Sequence, residues 1–317
     1  MAVLDDANRL AAAGQGQAAV QLVERAAGEG DAEALFAMAN WRLFGIHGPR
    51  NLAEAHSLLD RARSFGHIEA TRLKATLIGN GTGVPANLGK AAAILRTIQS
   101  RDGFANLQLV FSQKMRSEKD AARLPSEILS ESPHIRVVRK LLSPEECRYL
   151  MTRGQGELQP SYVIDPRTGG RMPHPVRTSS GMSFGPTLED RIVHLINRRL
   201  AKVTRTGVEC GEPLHMLQYV PGQEYKVHMD ALPGVANQRE WTVLLYLNDG
   251  YEGGATRFDA LGLEFRGGVG DALIFRNVDD AGEGDPRTRH AGLPVTSGVK
   301  WLATRWIRKS SYHPWEA

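Results

Sequence analysis

The chain has 317 residues, roughly twice the ~150 residues of an average domain, which predicts two domains. Hydrophobic residues make up 42% of it and charged residues 23%, a balance that excludes a largely disordered chain. The net charge is only +4 and the basic residues are scattered, so we expect no nucleic-acid partner.

The sequence carries no recognisable targeting or membrane signal. Its apolar runs are much shorter than the ~20 residues that a membrane helix needs, so no membrane partner is expected. The stretch Met1–Asp6 lacks the basic and apolar regions of a signal peptide. The two cysteines, Cys147 and Cys210, form no CxxC pair, which is typical of a reducing compartment. Together these features predict a cytoplasmic location.

The first hundred residues are rich in alanine and contain an internal repeat. The segment Gly30–Leu35 (GDAEAL) recurs as Gly66–Thr71 (GHIEAT), and Asn51–Ala55 (NLAEA) recurs as Asn87–Ala91 (NLGKA), both after 36 residues. Such a period indicates stacked helix pairs, because one pair cannot bury its own apolar face. The pattern resembles Sel1-like repeats, relatives of the tetratricopeptide solenoids, and we assign residues 1–100 to them. The resemblance implies a scaffold that either binds a protein partner or only braces a second domain.

Residues 101–133 are predicted to form a helical connector. Leu107, Val110 and Phe111 have the spacing of an apolar helical stripe. The polar stretch Ser126–Pro133 predicts a hinge at the end of the connector.

Residues 134–317 consist of short apolar runs separated by glycine and proline turns, which predicts a β-rich domain. The predicted strands are Leu214–Tyr219, Glu224–His228, Trp241–Leu247, Gly262–Phe265, Ala272–Phe275 and Val299–Ile307. Strands of this length and spacing favour a sandwich or a jelly roll. Two helices are expected before them, one capped by Ser143 and one over Thr187–Ala201. The expected fold class is α+β multidomain, with helical repeats followed by a jelly roll and its flanking helices.

The short motif His228-Met-Asp230 is the strongest sign of chemistry in the chain. Side chains two apart on a strand point to the same face, so one strand can present an imidazole and a carboxylate to one ion. His290, which lies 62 residues later, is the candidate third ligand. Two histidines and one carboxylate form the facial triad of non-heme Fe(II) oxygenases, which leaves metal positions open for a 2-oxo acid and dioxygen.

The distal carboxylate of 2-oxoglutarate would need a buried cation, because an unpaired buried charge is very costly. Lys300 lies ten residues beyond His290, at the start of a predicted strand, and can supply that cation.

Residues 134–310 resemble the prolyl 4-hydroxylase branch of the Fe(II)/2-oxoglutarate dioxygenases. The resemblance is carried by these stretches: Leu142–Cys147 (LSPEEC), Arg177–Met182 (RTSSGM), Leu217–Asp230 (LQYVPGQEYKVHMD), Thr242–Asn248 (TVLLYLN), Gly253–Phe258 (GGATRF), Gly270–Phe275 (GDALIF) and His290–Trp301 (HAGLPVTSGVKW). It implies a double-stranded β-helix, the jelly-roll core of that family, over residues 134–317.

The resemblance also implies roles for individual residues. The implied iron ligands, which are also the catalytic residues, are His228, Asp230 and His290. The residues implied to bind or line the site of 2-oxoglutarate are Lys300, Tyr219, Tyr246 and Thr242. The residues implied to face the substrate are Tyr225, Arg239 and Arg177.

The expected activity is hydroxylation of a substrate, most simply a prolyl residue in a peptide or protein, with decarboxylation of 2-oxoglutarate to succinate. The implied cofactors are Fe(II), 2-oxoglutarate and dioxygen, with ascorbate as an accessory. Because Asp230 retains a carboxylate where a related halogenase would admit a halide, hydroxylation is favoured.

Three alternatives stay open from the sequence alone. The same chemistry could act on a free amino acid or another small molecule. The chain could be a repeat-based interaction protein with a vestigial oxygenase fold. It could also be a zinc hydrolase with the same three ligands, although Lys300 and Tyr219 would then have no role.

Overall fold

The structure of the chain is a computed structural model, and it describes residues 2–164, 171–173 and 176–315. The chain divides into two compact units. One comprises Met1–Lys114 and Pro186–His194, and the other comprises Met115–Gly185 and Leu195–Ala317. The described part of the first unit is helical, and all the described strands lie in the second.

The long helices of the first unit repeat with the period predicted from the sequence. They are α1 (Ala2–Ala12), α2 (Gly16–Gly28), α3 (Ala32–Phe44), α4 (Leu52–Ser64), α5 (Ile68–Asn80), α6 (Leu88–Arg96) and α7 (Gly103–Lys114). Helix α4 begins 36 residues after α2, α5 begins 36 after α3, and α6 begins 36 after α4. The predicted helix pairs are therefore confirmed, while their kinship with Sel1-like repeats stays a prediction.

The hydrogen bonds at the helix ends repeat as well. The side chains of Asn51 and Asn87 cap α4 and α6 by accepting from the backbone N–H three residues on. Helices α3 and α5 both end on a left-handed glycine, Gly45 and Gly81, which adopts this conformation without a Cβ clash. The repeat therefore preserves the asparagine that starts α4 and α6 and the glycine that ends α3 and α5.

Three helices flank the strands of the chain. They are α8 (Glu118–Ala121), α9 (Pro144–Gln155) and α10 (Arg191–Thr204). Helix α9 has the capping box that its sequence predicts: Ser143 accepts from the Glu146 N–H, and the Glu146 carboxylate accepts from the Ser143 N–H.

The second unit is built on an antiparallel sheet of eight strands, in the order β1-β2-β13-β9-β16-β7-β6-β3. In chain order these strands are β1 (Ser126–Ser130), β2 (Ile135–Val138), β3 (Gln159–Pro160), β6 (Ser180–Phe184), β7 (Leu214–Tyr219), β9 (Arg239–Tyr246), β13 (Ala272–Arg276) and β16 (Lys300–Arg308). The two short strands β4 (Tyr162–Ile164) and β5 (Arg171–Pro173) pair with each other.

A second, four-stranded sheet has the order β12-β11-β14-β8. Its strands are β8 (Tyr225–His228), β11 (Thr256–Phe258), β12 (Leu263–Phe265) and β14 (His290–Gly292), while β10 (Tyr251–Gly253) pairs with β15 (Val295–Gly298). Phe258 and Phe265 of this sheet share one apolar core with Leu217, Leu244 and Phe275 of the large sheet. The two sheets therefore pack face to face, and the predicted jelly roll is confirmed.

The prediction of a hinge at Ser126–Pro133, and with it a wholly helical connector over 101–133, is wrong. Residues Ser126–Ser130 form the edge strand β1, which pairs with β2. The strand is stabilised by pairing with a distant partner, and its own side chains are largely exposed, so its sequence lacks the alternation that would have revealed it.

Over the described ranges, every helix is too short or too polar to cross a bilayer.

A buried ion pair holds α9 and α10 together within the second unit. The guanidinium of Arg199 donates to both carboxylate oxygens of Glu146 at 2.7 and 2.8 Å, and also to the carbonyl oxygens of Leu141 and Arg116. Both side chains are almost fully buried. Removing one partner would therefore leave an uncompensated buried charge.

We predict that Glu146→Ala lowers the free energy of unfolding by about 3–5 kcal/mol, because it strands the buried Arg199 guanidinium. The measurement is urea unfolding followed by circular dichroism. The matched control is Glu145→Ala, since Glu145 lies in the same helical turn but is exposed and forms its ion pair with exposed Arg148. Equal shifts of the urea midpoint in the two variants would contradict the prediction.

Candidate active site

Strand pairing brings together the three predicted metal ligands. Strands β8 and β14 are antiparallel neighbours, and His290 lies directly opposite His228. Asp230 lies two residues past the end of β8, and its carboxylate oxygens are 3.7 Å from Nε2 of His228 and 3.9 Å from Nε2 of His290. Ligand atoms of all three residues fall within 4.8 Å of one another, which is close enough for one ion.

Backbone carbonyl groups orient both imidazole rings. Nδ1 of His228 lies 2.8 Å from the carbonyl oxygen of Lys226, and Nδ1 of His290 lies 3.0 Å from that of Thr288. Because a carbonyl oxygen only accepts, each Nδ1 must carry the proton, which leaves the Nε2 lone pair for a metal.

The charges of the triad also suit a cation. Burial and the neighbouring His290 ring lower the pKa of His228 to about 4, so this imidazole is neutral at pH 7. Burial alone would raise the pKa of Asp230, but the two imidazoles and the Thr242 hydroxyl hold it below its ordinary value. The site therefore combines an ionised carboxylate with a neutral imidazole donor, a set that fits Fe(II).

The triad opens into a cavity that Lys300 also lines. The Lys300 side chain is 2% exposed, and burial lowers its pKa to about 7. Its ammonium group donates one hydrogen bond, at 2.6 Å, to the carbonyl oxygen of Gly254. No carboxylate of the described residues forms an ion pair with this ammonium group. It is therefore available to form an ion pair with an anionic ligand that enters the cavity.

Two buried tyrosines surround this ammonium. Lys300 faces Tyr219 across the β16–β7 pair, and its Nζ lies 5.5 Å from the ring centroids of both Tyr219 and Tyr246. Burial raises the pKa of both phenols above the ordinary value, so they stay protonated. The Tyr246 hydroxyl shares a hydrogen bond of 2.8 Å with Thr256, which lines the cavity.

Tyr225 and Arg177 lie at the metal end of the cavity. The Tyr225 ring lines the cavity and stacks on His228, with centroids 3.5 Å apart and planes 12° apart. The Arg177 guanidinium lies 5.6 Å from the Tyr225 ring, and Arg177 is bridged to Tyr225 through the backbone. Tyr225 therefore contacts the predicted metal ligand His228 directly, whereas Arg177 lies beside Tyr225 and is not among the described residues that line the cavity.

The structure does not bring Arg239 to the cavity. Its guanidinium donates to both carboxylate oxygens of Glu212, at 2.6 and 2.8 Å, and packs on the Trp306 ring at 4.0 Å. It is absent from the described cavity lining. The structure therefore places Arg239 in an ion pair with Glu212 outside the described cavity lining, and its expected substrate role stays a prediction.

Thr242 also lies elsewhere than expected. It shares a strand face with Leu244 and Tyr246, as predicted, but of these three only Leu244 lines the described cavity. The Thr242 hydroxyl donates to the Asp230 carboxylate at 2.6 Å. Its expected place in the 2-oxoglutarate site stays a prediction, and the structure adds a hydrogen bond to the predicted metal ligand Asp230.

Comparison with known proteins identifies the family. The sequence profile of the 2OG-Fe(II) oxygenase superfamily matches residues 214–308. Prolyl 4-hydroxylase 1 of Arabidopsis thaliana is 35% identical over 257 residues, which cover 73% of this chain and 86% of that protein. The chain belongs to the prolyl 4-hydroxylase family of 2OG-Fe(II) oxygenases.

Two further likenesses were found. Probable prolyl 4-hydroxylase 10 of Arabidopsis thaliana is 35% identical over 210 residues, covering 59% of this chain and 72% of that protein. A crystal structure of a viral collagen prolyl hydroxylase from Paramecium bursaria Chlorella virus-1 aligns with a TM-score of 0.45 and 26% identity, over 56% of this chain and 96% of that one.

As a member of this family, the protein is a 2-oxoglutarate-dependent dioxygenase that uses Fe(II), 2-oxoglutarate and dioxygen. The donor set described above fits that metal. Membership also removes the alternatives of a zinc hydrolase and of a vestigial oxygenase fold.

Sequence reasoning missed several lining residues of this prolyl 4-hydroxylase family member. Leu302, Thr304 and Trp306 all face the cavity with Lys300, because they alternate along strand β16. Every second residue after Lys300 lies on the same strand face, so this rule would have identified them from the sequence. No local signal marks Thr256 or Asn277, whose side chains meet the site through long-range pairing.

We predict that the protein binds one Mn(II), a redox-stable substitute for Fe(II), and that His228→Ala, Asp230→Ala and His290→Ala each abolish this binding. Each change removes one of three ligands. Binding is measured by the loss of the free Mn(II) electron paramagnetic resonance signal.

The matched control is His67→Asn, which changes a second His-x-acid sequence, His67-Ile-Glu69, and keeps a side chain that can cap helix α5. It should bind Mn(II) as the parent does. Parent-like affinity in any of the three ligand variants would contradict the assignment of that residue.

Proposed function

We propose that this dioxygenase hydroxylates prolyl residues in a peptide or protein, with His228, Asp230 and His290 holding the iron and Lys300 holding 2-oxoglutarate. The observation that carries the proposal is the buried Lys300 ammonium, which shares one cavity with the triad and pairs with no acid of the described residues. The bound iron would supply activation of dioxygen coupled to decarboxylation of 2-oxoglutarate to succinate.

The residues around Lys300 would orient the cosubstrate. The ammonium of Lys300 would pair with the distal carboxylate, and the protonated Tyr219 hydroxyl would donate to it. Tyr246 is held by Thr256 beside this group and would fix the width of the cavity. Leu217, Leu244 and Leu302 would keep water from the carbon chain.

The composition of the cavity supports a neutral peptidyl substrate over a free amino acid. A free amino acid needs an acid for its ammonium group and a cation for its carboxylate. Among the described lining residues the one carboxylate is Asp230, which belongs to the triad, and the lysine is Lys300. Among the described residues Arg239 is paired with Glu212 and Arg177 lies beside Tyr225, so neither is one of the lining residues that could hold a carboxylate inside the cavity.

Aromatic surfaces in the cavity suit a prolyl ring. Tyr225 and Trp306 both line it, and proline, which has no N–H, is recognised by shape and through its carbonyl group. The names of the relatives, prolyl 4-hydroxylases of Arabidopsis thaliana, agree with this substrate. Arg177, beside Tyr225, would supply a cation for a peptide carbonyl at the rim.

Three expectations accompany the proposal as predictions from the sequence. The repeat-bearing helices either bind a protein partner or brace the dioxygenase. Ascorbate supports turnover. The protein acts in the cytoplasm.

We predict that the apparent affinity for 2-oxoglutarate falls above about pH 7, by up to tenfold per pH unit, because the dianion binds the protonated form of Lys300. The measurement is isothermal titration calorimetry of the Mn(II)-loaded protein at several pH values. Lys300→Arg should bind with a flat profile, since its guanidinium stays charged. A flat profile in the parent would contradict the assignment of Lys300.

For the substrate, we expect an end-blocked peptide containing proline to gain one oxygen atom in mass, while the same peptide with alanine in place of proline and free proline do not. Mass spectrometry of the products and succinate release are read together. Oxidation of free proline alone would overturn the peptidyl substrate and leave the iron chemistry standing.

A further inference from the structure

A chain of two hydrogen bonds reaches the Asp230 carboxylate from behind. The Asn277 amide nitrogen Nδ2 donates to the Thr242 hydroxyl at 2.9 Å, and that hydroxyl donates to Oδ2 of Asp230 at 2.6 Å. Thr242 and Asn277 are fully buried. Neither side chain lines the described cavity, so neither is placed to touch substrate or cosubstrate.

The direction of this chain is fixed by chemistry. An amide NH₂ group only donates, so the Thr242 oxygen must accept from Asn277, and its single proton is left for Asp230. Turning the amide over would place its oxygen against Thr242, which would draw the hydroxyl proton away from the carboxylate. Within the described residues, the other amide atom of Asn277, Oδ1, is buried and has no hydrogen-bond partner. The hydrogen bond from Nδ2 to Thr242 is therefore the contact that orients this amide.

The backbone of Asn277 is held on both sides. Its N–H donates to the carbonyl oxygen of Glu240 at 2.8 Å, which extends the β13–β9 ladder, and its own carbonyl oxygen accepts from the Asp285 N–H at 2.9 Å. The loop that starts at Asn277 closes when the Thr288 hydroxyl donates to the Asp285 carbonyl oxygen. The backbone carbonyl oxygen of Thr288 in turn accepts from Nδ1 of His290.

We propose that Asn277 and Thr242 are positioning residues for the metal centre, an inference that rests on the triad of the proposed function. Thr242 fixes the Asp230 carboxylate in the orientation that faces the two imidazoles. Asn277 fixes the Thr242 hydroxyl, and through its backbone it anchors the loop that presents His290. One residue at the end of β13 thus sets the geometry of two of the three ligands.

The decisive measurement is Mn(II) affinity in the absence of 2-oxoglutarate and substrate. Thr242→Val keeps the shape of the side chain but removes the donor, and we expect its affinity to fall by about 10- to 100-fold. Thr242→Ser restores the hydroxyl and should stay within about threefold of the parent, since the donor is retained. Asn277→Ala should lower the affinity in the parent but add nothing in the Thr242→Val background, because it acts through Thr242.

The contrast with Lys300 separates positioning from cosubstrate binding. At saturating metal, Thr242→Val should keep the parent's KM for 2-oxoglutarate, whereas Lys300→Ala should keep the metal affinity and lose cosubstrate affinity. Melting temperatures show which variants fold. If Thr242→Val does not fold, the metal affinity of Asn277→Ala tests the proposal.

Parent-like metal affinity in folded Thr242→Val or Asn277→Ala would overturn the proposal. A raised KM for 2-oxoglutarate with unchanged metal affinity in Thr242→Val would also overturn it, and would return Thr242 to the cosubstrate site. If the parent itself bound no Mn(II) while folded, the proposed function would fail together with this inference.

Discussion

A buried charge is costly unless an opposite charge or an ion compensates it, and the site of this dioxygenase contains two buried charged groups, the Asp230 carboxylate and the Lys300 ammonium. Asp230 is 3% exposed and remains ionised because two imidazoles and a hydroxyl surround it. Lys300 is 2% exposed and is cradled by a carbonyl group and two aromatic rings, without a carboxylate partner among the described residues. One end of the cavity therefore suits a metal cation, and the other suits an anion.

Pairing between strands that are far apart in the chain assembles both ends of the site. The β8–β14 pair places His228 beside His290, and the β16–β7 pair places Lys300 beside Tyr219. Because the apolar core between the two sheets stabilises this pairing, His228, His290 and Lys300 are held on strands of the two sheets. The Asn277–Thr242 chain adds a fixed donor at the one ligand that lies beyond a strand end.

Much of this could be predicted from the sequence where the signal is local. The 36-residue period predicted the helix pairs because capping residues such as Asn51 and Asn87 repeat with it. The roles of Asp230 and Lys300 followed from the chemistry that the motif demands, and their convergence followed from the family resemblance. Strand β1 was missed because its exposed edge sequence carries no alternation.

The sequence did not reveal the hydrogen-bond partners of two predicted site residues. Arg239 matches a position that faces the substrate in the family it resembles, and no local pattern links it to its ion-pair partner Glu212, which lies 27 residues earlier in the chain. Thr242 was assigned to the correct strand face, yet its position along the strand places it against Asp230. The alternation of side chains along a strand predicts which face of the sheet a side chain occupies. The residue that it contacts there depends on how distant strands pair.

The central claim is that the triad and Lys300 hold 2-oxoglutarate where dioxygen can cleave it. Turnover under ¹⁸O₂ with Fe(II), 2-oxoglutarate and a proline-containing peptide tests this most directly, with the succinate analysed by mass spectrometry. The account predicts that each succinate carries one ¹⁸O atom and that the hydroxylated peptide carries the other. Succinate without the label, or consumption of 2-oxoglutarate that does not need the triad, would contradict it.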